Sequence, residues 1–326
     1  MVRPLVRGVV VGLSIAVAWI GAATTPAWAD EPPPELPPAT FGAPPPDHQP
    51  GSSEYVPPKE GEPARVAARV DDELPGFITL DRMGTGSQAG IQVGVDKIDD
   101  AAFTGGGYAL RFNPYGQYMF PGRPAGVYGQ WSIAHSFLDA ADGTGVGNLE
   151  LGGVYLPLGD ARLILRGGVA LPTASSDDLP AVVANAITAY ERITDYVLFP
   201  GEYTSLRLSA STVQRMDTFF FRADGGFDFV ISRPGAASGQ PSVLFRANVA
   251  GGIRASGVDF TVELANIAAV NGDNIDSISE RFIHTAAIGL RTQGEDQFYF
   301  GGVFPLDDNQ RGDLWILSLG YMRAFN

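Results

Sequence analysis

The chain has 326 residues, a net charge of -14, no cysteine and 41 glycines, a length that suits one large domain or two small ones. The acidic balance, with no basic patch or aromatic-basic interleaving, excludes a nucleic-acid binder. No disulfide can form, and beyond the N-terminal segment no stretch approaches the roughly 20 unbroken apolar residues of a membrane helix, so a helical membrane protein is excluded too.

Arg3 and Arg7 precede the apolar run GVVVGLSIAVAWIGAA, and Ala27-Trp28-Ala29 fits a small-x-small cleavage site. Residues 1–29 therefore read as an export signal peptide, with a mature chain from Asp30; an anchor helix is disfavoured because the run is short and a cleavage site follows it. Residues 30–76 hold more than half of the prolines in the chain. Such a segment buries too little apolar surface to offset its ordering entropy, and it reads as a Pro-rich disordered periplasmic arm. The arm is either a solvated spacer or a reach toward a partner, and His48 within it has no neighbours to make a metal site.

From residue 77 onward the period is two. In TFFFRADGGFDFVI, Phe219, Phe221, Ala223, Phe227, Phe229 and Ile231 alternate with Arg222, Asp224 and Asp228. Val243, Phe245, Val249 and Ile253 alternate with Arg246, Asn248 and Arg254, and Val258, Phe260, Val262 and Leu264 with Asp259, Thr261 and Glu263. About twelve such segments follow one another, near 87–97, 108–120, 127–137, 146–156, 161–172, 204–214, 218–231, 242–255, 258–268, 281–292, 297–304 and 314–325. Each approaches the roughly 9 to 11 residues that a tilted strand needs to cross hydrocarbon. The connections sort by parity, short ones (PGRPAG, PLGD, RMD, ASG, QGED) alternating with longer ones. A soluble sandwich has no reason to sort its loops this way, and it would leave the outward Phe and Leu side chains as an unreasonable exposed surface. The expectation is an all-β fold: a transmembrane antiparallel up-and-down β-barrel of about 12 strands over residues 77–326, with both termini periplasmic.

The C-terminal LSLGYMRAF resembles the closing strand that the outer-membrane assembly machinery reads, with Gly320 and Tyr321 before the aromatic Phe325. It departs from that pattern in Asn326, which displaces the aromatic by one, and in Arg323 on the oily face, where an arginine near headgroups snorkels. The stretch GVGNLELGGVYLPLGDARLILRGGVALPTASSD is similar to the repeated strand, tight turn and L-P-T-G end of outer-membrane transporters associated with phenol degradation, with Asn148 and Ala174 in place of the usual Asp and Gly. That resemblance covers about a tenth of the chain. It implies aromatic or hydrophobic solutes.

One insertion, residues 174–203, has helical character: Asp178 can cap, Pro180 suits a first turn, and Val183, Ile187 and Tyr190 share a stripe. Parity makes it extracellular, and it is read either as a gate folded into the pore (Asp178, Val183, Ile187, Tyr190) or as a lid outside it. The candidate lumen set is Arg162, Arg166, Arg207, Arg222, Asp224, Asp228, Arg246, Arg254, Asp259 and Glu263, with Glu150 and Arg291 beside it. Mixed signs at close quarters either pair and fill the barrel or orient polar and anionic solutes.

Acidic loop residues such as Asp99, Asp139 and Asp307 could hold divalent ions against lipopolysaccharide, but no EF-hand spacing occurs and Asp is an ordinary turn former. For nucleophilic catalysis, His135 and Ser136 are adjacent and so face opposite sides of a strand, and no G-x-S-x-G, H-E-x-x-H or phosphate loop occurs. No catalytic residue, metal or cofactor is expected. The expected function is an outer-membrane channel or transporter for passive or facilitated diffusion of small solutes. The alternative is a structural or surface-display barrel with a plugged lumen and partner-binding loops. Expected partners are outer-membrane lipid and lipopolysaccharide, the assembly machinery and a small permeant.

Overall fold

The computed structural model describes residues 78–82, 84–99, 106–139, 141–174, 178–199, 201, 203–232, 243–270, 282–307 and 314–325. The signal peptide and arm assigned to residues 1–76 lie outside these, as do four further acidic residues of the long loops that by sequence are candidate ion ligands, Asp100, Asp273, Asp276 and Asp308.

The strands are β1 (Ser87–Ile98), β2 (Gly107–Met119), β3 (Ala125–Gln130), β4 (Ile133–Phe137), β5 (Gly143–Val146), β6 (Leu149–Tyr155), β7 (Ile164–Leu171), β8 (Tyr203–Met216), β9 (Phe219–Ser232), β10 (Val243–Ala255), β11 (Val258–Ala269), β12 (Phe282–Thr292), β13 (Asp296–Pro305) and β14 (Leu314–Phe325). All pairings are antiparallel; β2 pairs with both β3 and β4, β3 with β6 and β4 with β5, the other pairs join chain neighbours, and β1 pairs with β14 in the register Ser87↔Phe325, so the sheet closes.

Two staves of the barrel are each built from two strands, which makes the closed barrel 12-stranded. Between β3 and β4 the alternation runs on unbroken, and the Trp131 N–H still reaches the Pro114 carbonyl at 3.1 Å. Between β5 and β6 it does not. Gly147 and Asn148 both turn inward, a bulge in which the Gly147 N–H keeps the ladder (2.8 Å to Ser132 O) while the Asn148 N–H points into the lumen (2.6 Å to Leu198 O).

Inward and outward residues alternate with the period that the sequence shows. Outward stand Phe112, Leu151, Leu208, Phe227, Val262, Leu290, Phe300 and Leu317, all exposed. In water each would forgo about 1.5 to 3 kcal/mol of burial, so the belt is made for a hydrocarbon solvent. Aromatic side chains stand at both margins, with Tyr118, Tyr155, Phe219 and Phe298 at one end and Tyr108, Phe137 and Trp315 at the other. The first end carries the five short connections; at one of them Ser256 and Gly257 take φ of 48° and 84°, as a tight two-residue hairpin turn requires. On β14 the inward Gly320 is a matter of space: a Cβ there would overlap the Tyr299 ring. Tyr321 and Phe325 face outward, and the Tyr321 hydroxyl donates to Asp296 at 2.5 Å.

Candidate functional site

The lumen is occupied by two pieces of the chain itself. From the end with long connections, the insertion after β7 folds inward as α1 (Leu179–Thr188) and a 3-10 segment over Ala189–Leu198, kinked at Arg192 and Asp195. From the other end, residues 78–82 run inside the wall before β1 begins, and Ile78, Thr79, Leu80 and Asp81 are buried to 2% exposure or less. The sequence reading assigned residue 77 onward to the barrel and did not anticipate a segment inside it.

The insertion is held by apolar packing. Val183 and Ile187 meet Ile98, Ala109, Leu138, Val303 and Ile316, while Ile193, Val197 and Leu198 meet Ala170, Leu244, Ala265 and Ile267. Tyr190 lies between the two clusters. Of the four gate residues, Asp178 stands apart: it holds the N-cap position but its side chain is exposed and caps nothing, although its carbonyl accepts from Val182 N–H at 3.0 Å. The bulge supplies the polar anchor. Asn148 Nδ2 donates to the Val197 carbonyl at 3.0 Å, and Asn148 Oδ1 accepts from Ala174 N–H at 2.9 Å, clasping both ends of the insertion. Arg111 donates to the Thr188 carbonyl at 2.7 Å and pairs with Glu191 at 3.0 Å, both carboxylate and guanidinium being fully buried. Gly94 leaves that carboxylate its room, since a Cβ there would overlap it.

Residues 78–82 are held differently, by side chains that read their main chain. Glu263 accepts the N–H groups of Ile78 (2.8 Å) and Thr79 (2.7 Å). Arg192 donates to the carbonyls of Ile78 and Leu80, each at 2.5 Å, and Thr194 to that of Thr79 at 2.6 Å. Arg222 donates to the Asp81 carbonyl at 2.7 Å, and Arg246 Nη1 donates to both Asp81 carboxylate oxygens at 3.0 and 2.9 Å. Arg82 reaches Gln92 (2.5 Å), Gln130 (2.9 Å) and Asp195 (3.5 Å), and stacks over the Tyr115 ring at 4.8 Å.

Around this segment the wall's charges interlock. Arg207 pairs with Glu150 (2.5 Å), Asp228 (3.1 Å) and Asp195 (3.3 Å); Arg246 also pairs with Asp228 (3.0 Å), and Arg222 with Asp224 (2.7 Å). Arg166 pairs with Glu150 at 3.4 Å and lies over the Tyr128 ring at 3.6 Å, while Tyr128 donates to the same Glu150. Nearer the short-turn mouth, Asp259 is shared between Arg254 and Arg291, each at 3.1 Å. Burial alone would raise the Asp195 carboxyl, but Arg192, Arg207 and Arg82 together hold it well below the usual carboxylate range. Asp81 follows the same logic: burial raises it, and Arg246, Arg166 and Arg207 outweigh burial. Burial and the neighbouring Arg192 bring Arg82 down to about 10.

Of the ten lumen candidates, Arg166, Arg207, Arg222, Asp224, Asp228, Arg246, Asp259 and Glu263 are buried inside. Arg254 is half-buried at the mouth. Arg162 corrects the expectation: it is exposed in the turn before β7 and pairs with Asp160 at 2.8 Å, while Ile164 takes the inward place and closes the mouth with Val154, Leu156 and Val213. Sequence reasoning missed Asp81, Arg82, Arg111, Glu191, Arg192 and Asp195. Arg111 stands in a strand whose alternation Pro114 blurs, and the charges of ERITD look like any solvated loop until the insertion is turned inward. Asp96 was missed as well; it is fully buried on β1, and neither carboxylate oxygen has a hydrogen-bond partner among the described residues.

The two described histidines, His135 and His284, stand on the outer face. His135 meets Thr144 Oγ1 at 2.8 Å and the Phe137 ring at 4.3 Å, while Ser136 turns inward to the Ala141 carbonyl. His284 Nδ1 lies 3.0 Å from Asp307, and Asp99 pairs with Lys97 at 3.1 Å. No cluster of metal-ligating side chains occurs among the described residues.

A closed 12-stranded antiparallel barrel with an apolar belt and a polar interior has the fold of the bacterial outer-membrane β-barrel proteins. An outer membrane channel from Pseudomonas putida F1 has this fold at 15% identity and a TM-score of 0.50, over 77% of this chain and 99% of that one. LpxR from Salmonella typhimurium (11% identity, TM-score 0.42, 72% and 100% covered) and a Pseudomonas aeruginosa FadL homologue (10%, 0.36, 74% and 91%) also match. No protein-family model and no curated protein matches the chain.

Proposed function

We propose that this protein is a Gram-negative outer-membrane channel or transporter for small solutes, held shut at rest by residues 78–82. The observation that carries the reading is the contrast between the two occupants of the lumen. The insertion is packed by two apolar clusters and belongs to the wall in all but topology, forming a fixed constriction around Val183, Ile187 and Tyr190. Residues 78–82 are an extended strip gripped chiefly through its polar groups by the wall and the insertion. Displacing the segment uncovers two large apolar side chains, Ile78 and Leu80, whereas displacing the insertion uncovers at least five, so the segment is the less costly of the two to move where water reaches the polar groups it leaves. The apolar half of the lumen around the insertion suits aromatic or hydrophobic solutes, in keeping with the resemblance in residues 145–177. The outer belt and β14, with Gly320, Tyr321 and Phe325, would engage membrane lipid, lipopolysaccharide and the assembly machinery.

The second reading, a structural or surface-display barrel, is favoured by one specific observation: the lumen charges are mutually paired and buried. Planar-bilayer conductance separates the two. The chain over residues 30–326 should be closed or flicker, and the chain over residues 84–326 should show discrete, sustained steps. Silence from both, with the barrel folded, would overturn the channel and leave the plugged structural barrel.

A further inference from the structure

We propose that the guanidinium cluster around Asp81 is a carboxylate-binding site, filled in cis by Asp81 at rest and open to a small organic carboxylate once residues 78–82 are displaced. The site's existence stands on its own geometry; its access from solution rests on the channel reading.

Four arginines from four strands, Arg166 on β7, Arg207 on β8, Arg222 on β9 and Arg246 on β10, converge on this part of the lumen. They face three wall carboxylates, Glu150, Asp224 and Asp228. Asp81 is the fourth anion: Arg246 Nη1 takes both its oxygens at 3.0 and 2.9 Å while Arg246 Nη2 keeps Asp228 at 3.0 Å, and Arg166 and Arg207 add to the field on it. Asp81 enters on a segment that is not part of the wall. Without that carboxylate the four guanidinium groups face these three wall carboxylates, with Asp195 beside Arg207 but held also by Arg192, and a buried cation short of a partner recruits a counterion. The cluster has donors to spare even when filled. Arg166 Nε and Arg246 Nε, both in side chains at least nine-tenths buried, have no acceptor among the described residues.

The body of the ligand is defined by what the segment would vacate beside the charge. Leu80 packs on Phe220 and Ala250 next to Asp81, and Ile78 joins the apolar cluster that includes Ala287, Tyr299 and Val303. The segment therefore presents a carboxylate flanked by compact apolar groups. A solute of the same pattern, a carboxylate on a short aliphatic or aromatic body, fits the space and the charge, because arginine forks match planar carboxylates.

The probe is benzoate, with acetate and chloride beside it, titrated by calorimetry into the refolded mature protein and its variants in detergent. Asp81→Ala should bind benzoate at least tenfold more tightly than the unaltered chain, with acetate weaker and chloride weaker still. Adding Arg246→Ala should remove that gain, and Arg246→Lys, which keeps the charge without the fork, should remove most of it; circular dichroism confirms that each barrel is folded. Equal benzoate binding by Asp81→Ala and the unaltered chain, or a gain indifferent to Arg246, would overturn the site. Bilayer recordings of the same variants keep the two proposals apart: benzoate binding without conductance upholds the site and removes the channel, and conductance without benzoate binding does the reverse.

Discussion

Asn148 shows how much one side chain can decide. The bulge turns both its main-chain and side-chain groups inward, where they close the loop between Ala174 and Leu198. Asn148→Ala keeps the backbone contact to Leu198 but strands the Val197 carbonyl and the Ala174 N–H, at a cost of about 1 to 3 kcal/mol for each group left buried without a partner. The expected outcome is a lower midpoint of thermal unfolding in detergent with the barrel intact; an unchanged midpoint would mean that apolar packing alone holds the insertion. Gly320→Val should be worse, because the added side chain enters the space of the Tyr299 ring, and the folded yield on refolding would report it.

The carboxylates of the latch carry a pH prediction. Asp81 and Asp195 have folded-state values below the ordinary range, so their contribution is fully present above about pH 4, the usual unfolded value, and is lost only as pH falls through the lower folded values. Mild acid, down to about pH 4.5, should therefore leave conductance unchanged; opening in that range would point to a different group as the latch.

At the scale of elements, the lumen holds two pieces that are anchored differently, the insertion through apolar clusters and residues 78–82 chiefly through polar groups. Removing residues 180–198 strips the partners of two apolar clusters and leaves Arg111 and Arg207 without Glu191 and Asp195. A large pore should follow, together with clear destabilisation, since a buried charge deprived of its partner costs about 3 to 5 kcal/mol. Starting the chain at residue 84 should give a smaller conductance and a smaller loss of stability; the two are ranked by urea unfolding beside the bilayer traces. The strands and the insertion were legible because both have a period, two in one case and a helical stripe in the other. Asp81 had none to offer. It lies in FITLDR, too short to show alternation and next to the proline-rich stretch, and its partner Arg246 is 165 residues away. The wall positions of Arg222, Asp228 and Arg246 could be read from alternation, whereas Arg162 was misplaced because the strand begins only at Ile164, which leaves Arg162 in the exposed turn with Asp160. Which charge pairs with which is a matter of register and of what fills the middle, and neither is written in a single strand.

At the scale of the molecule, the apolar belt and polar interior invert the arrangement of a soluble protein, and this was the property most plainly legible in the sequence. Closure adds a further constraint. The seam joins Ser87 to Phe325, so the two ends of the wall must find each other across nearly the whole barrel sequence. Residues 78–82 sit just ahead of the first strand and grip Glu263 and Arg246 on β11 and β10. Once seated there, the segment carries β1 toward the far side of an open sheet and shortens the loop still to be closed about fourfold, which lowers its entropic cost by roughly 1 kcal/mol. Seated before closure, the same five residues that lie in the bore of the finished barrel would act as a mandrel around which the sheet is rolled shut, and a chain beginning at residue 84 should then refold more slowly.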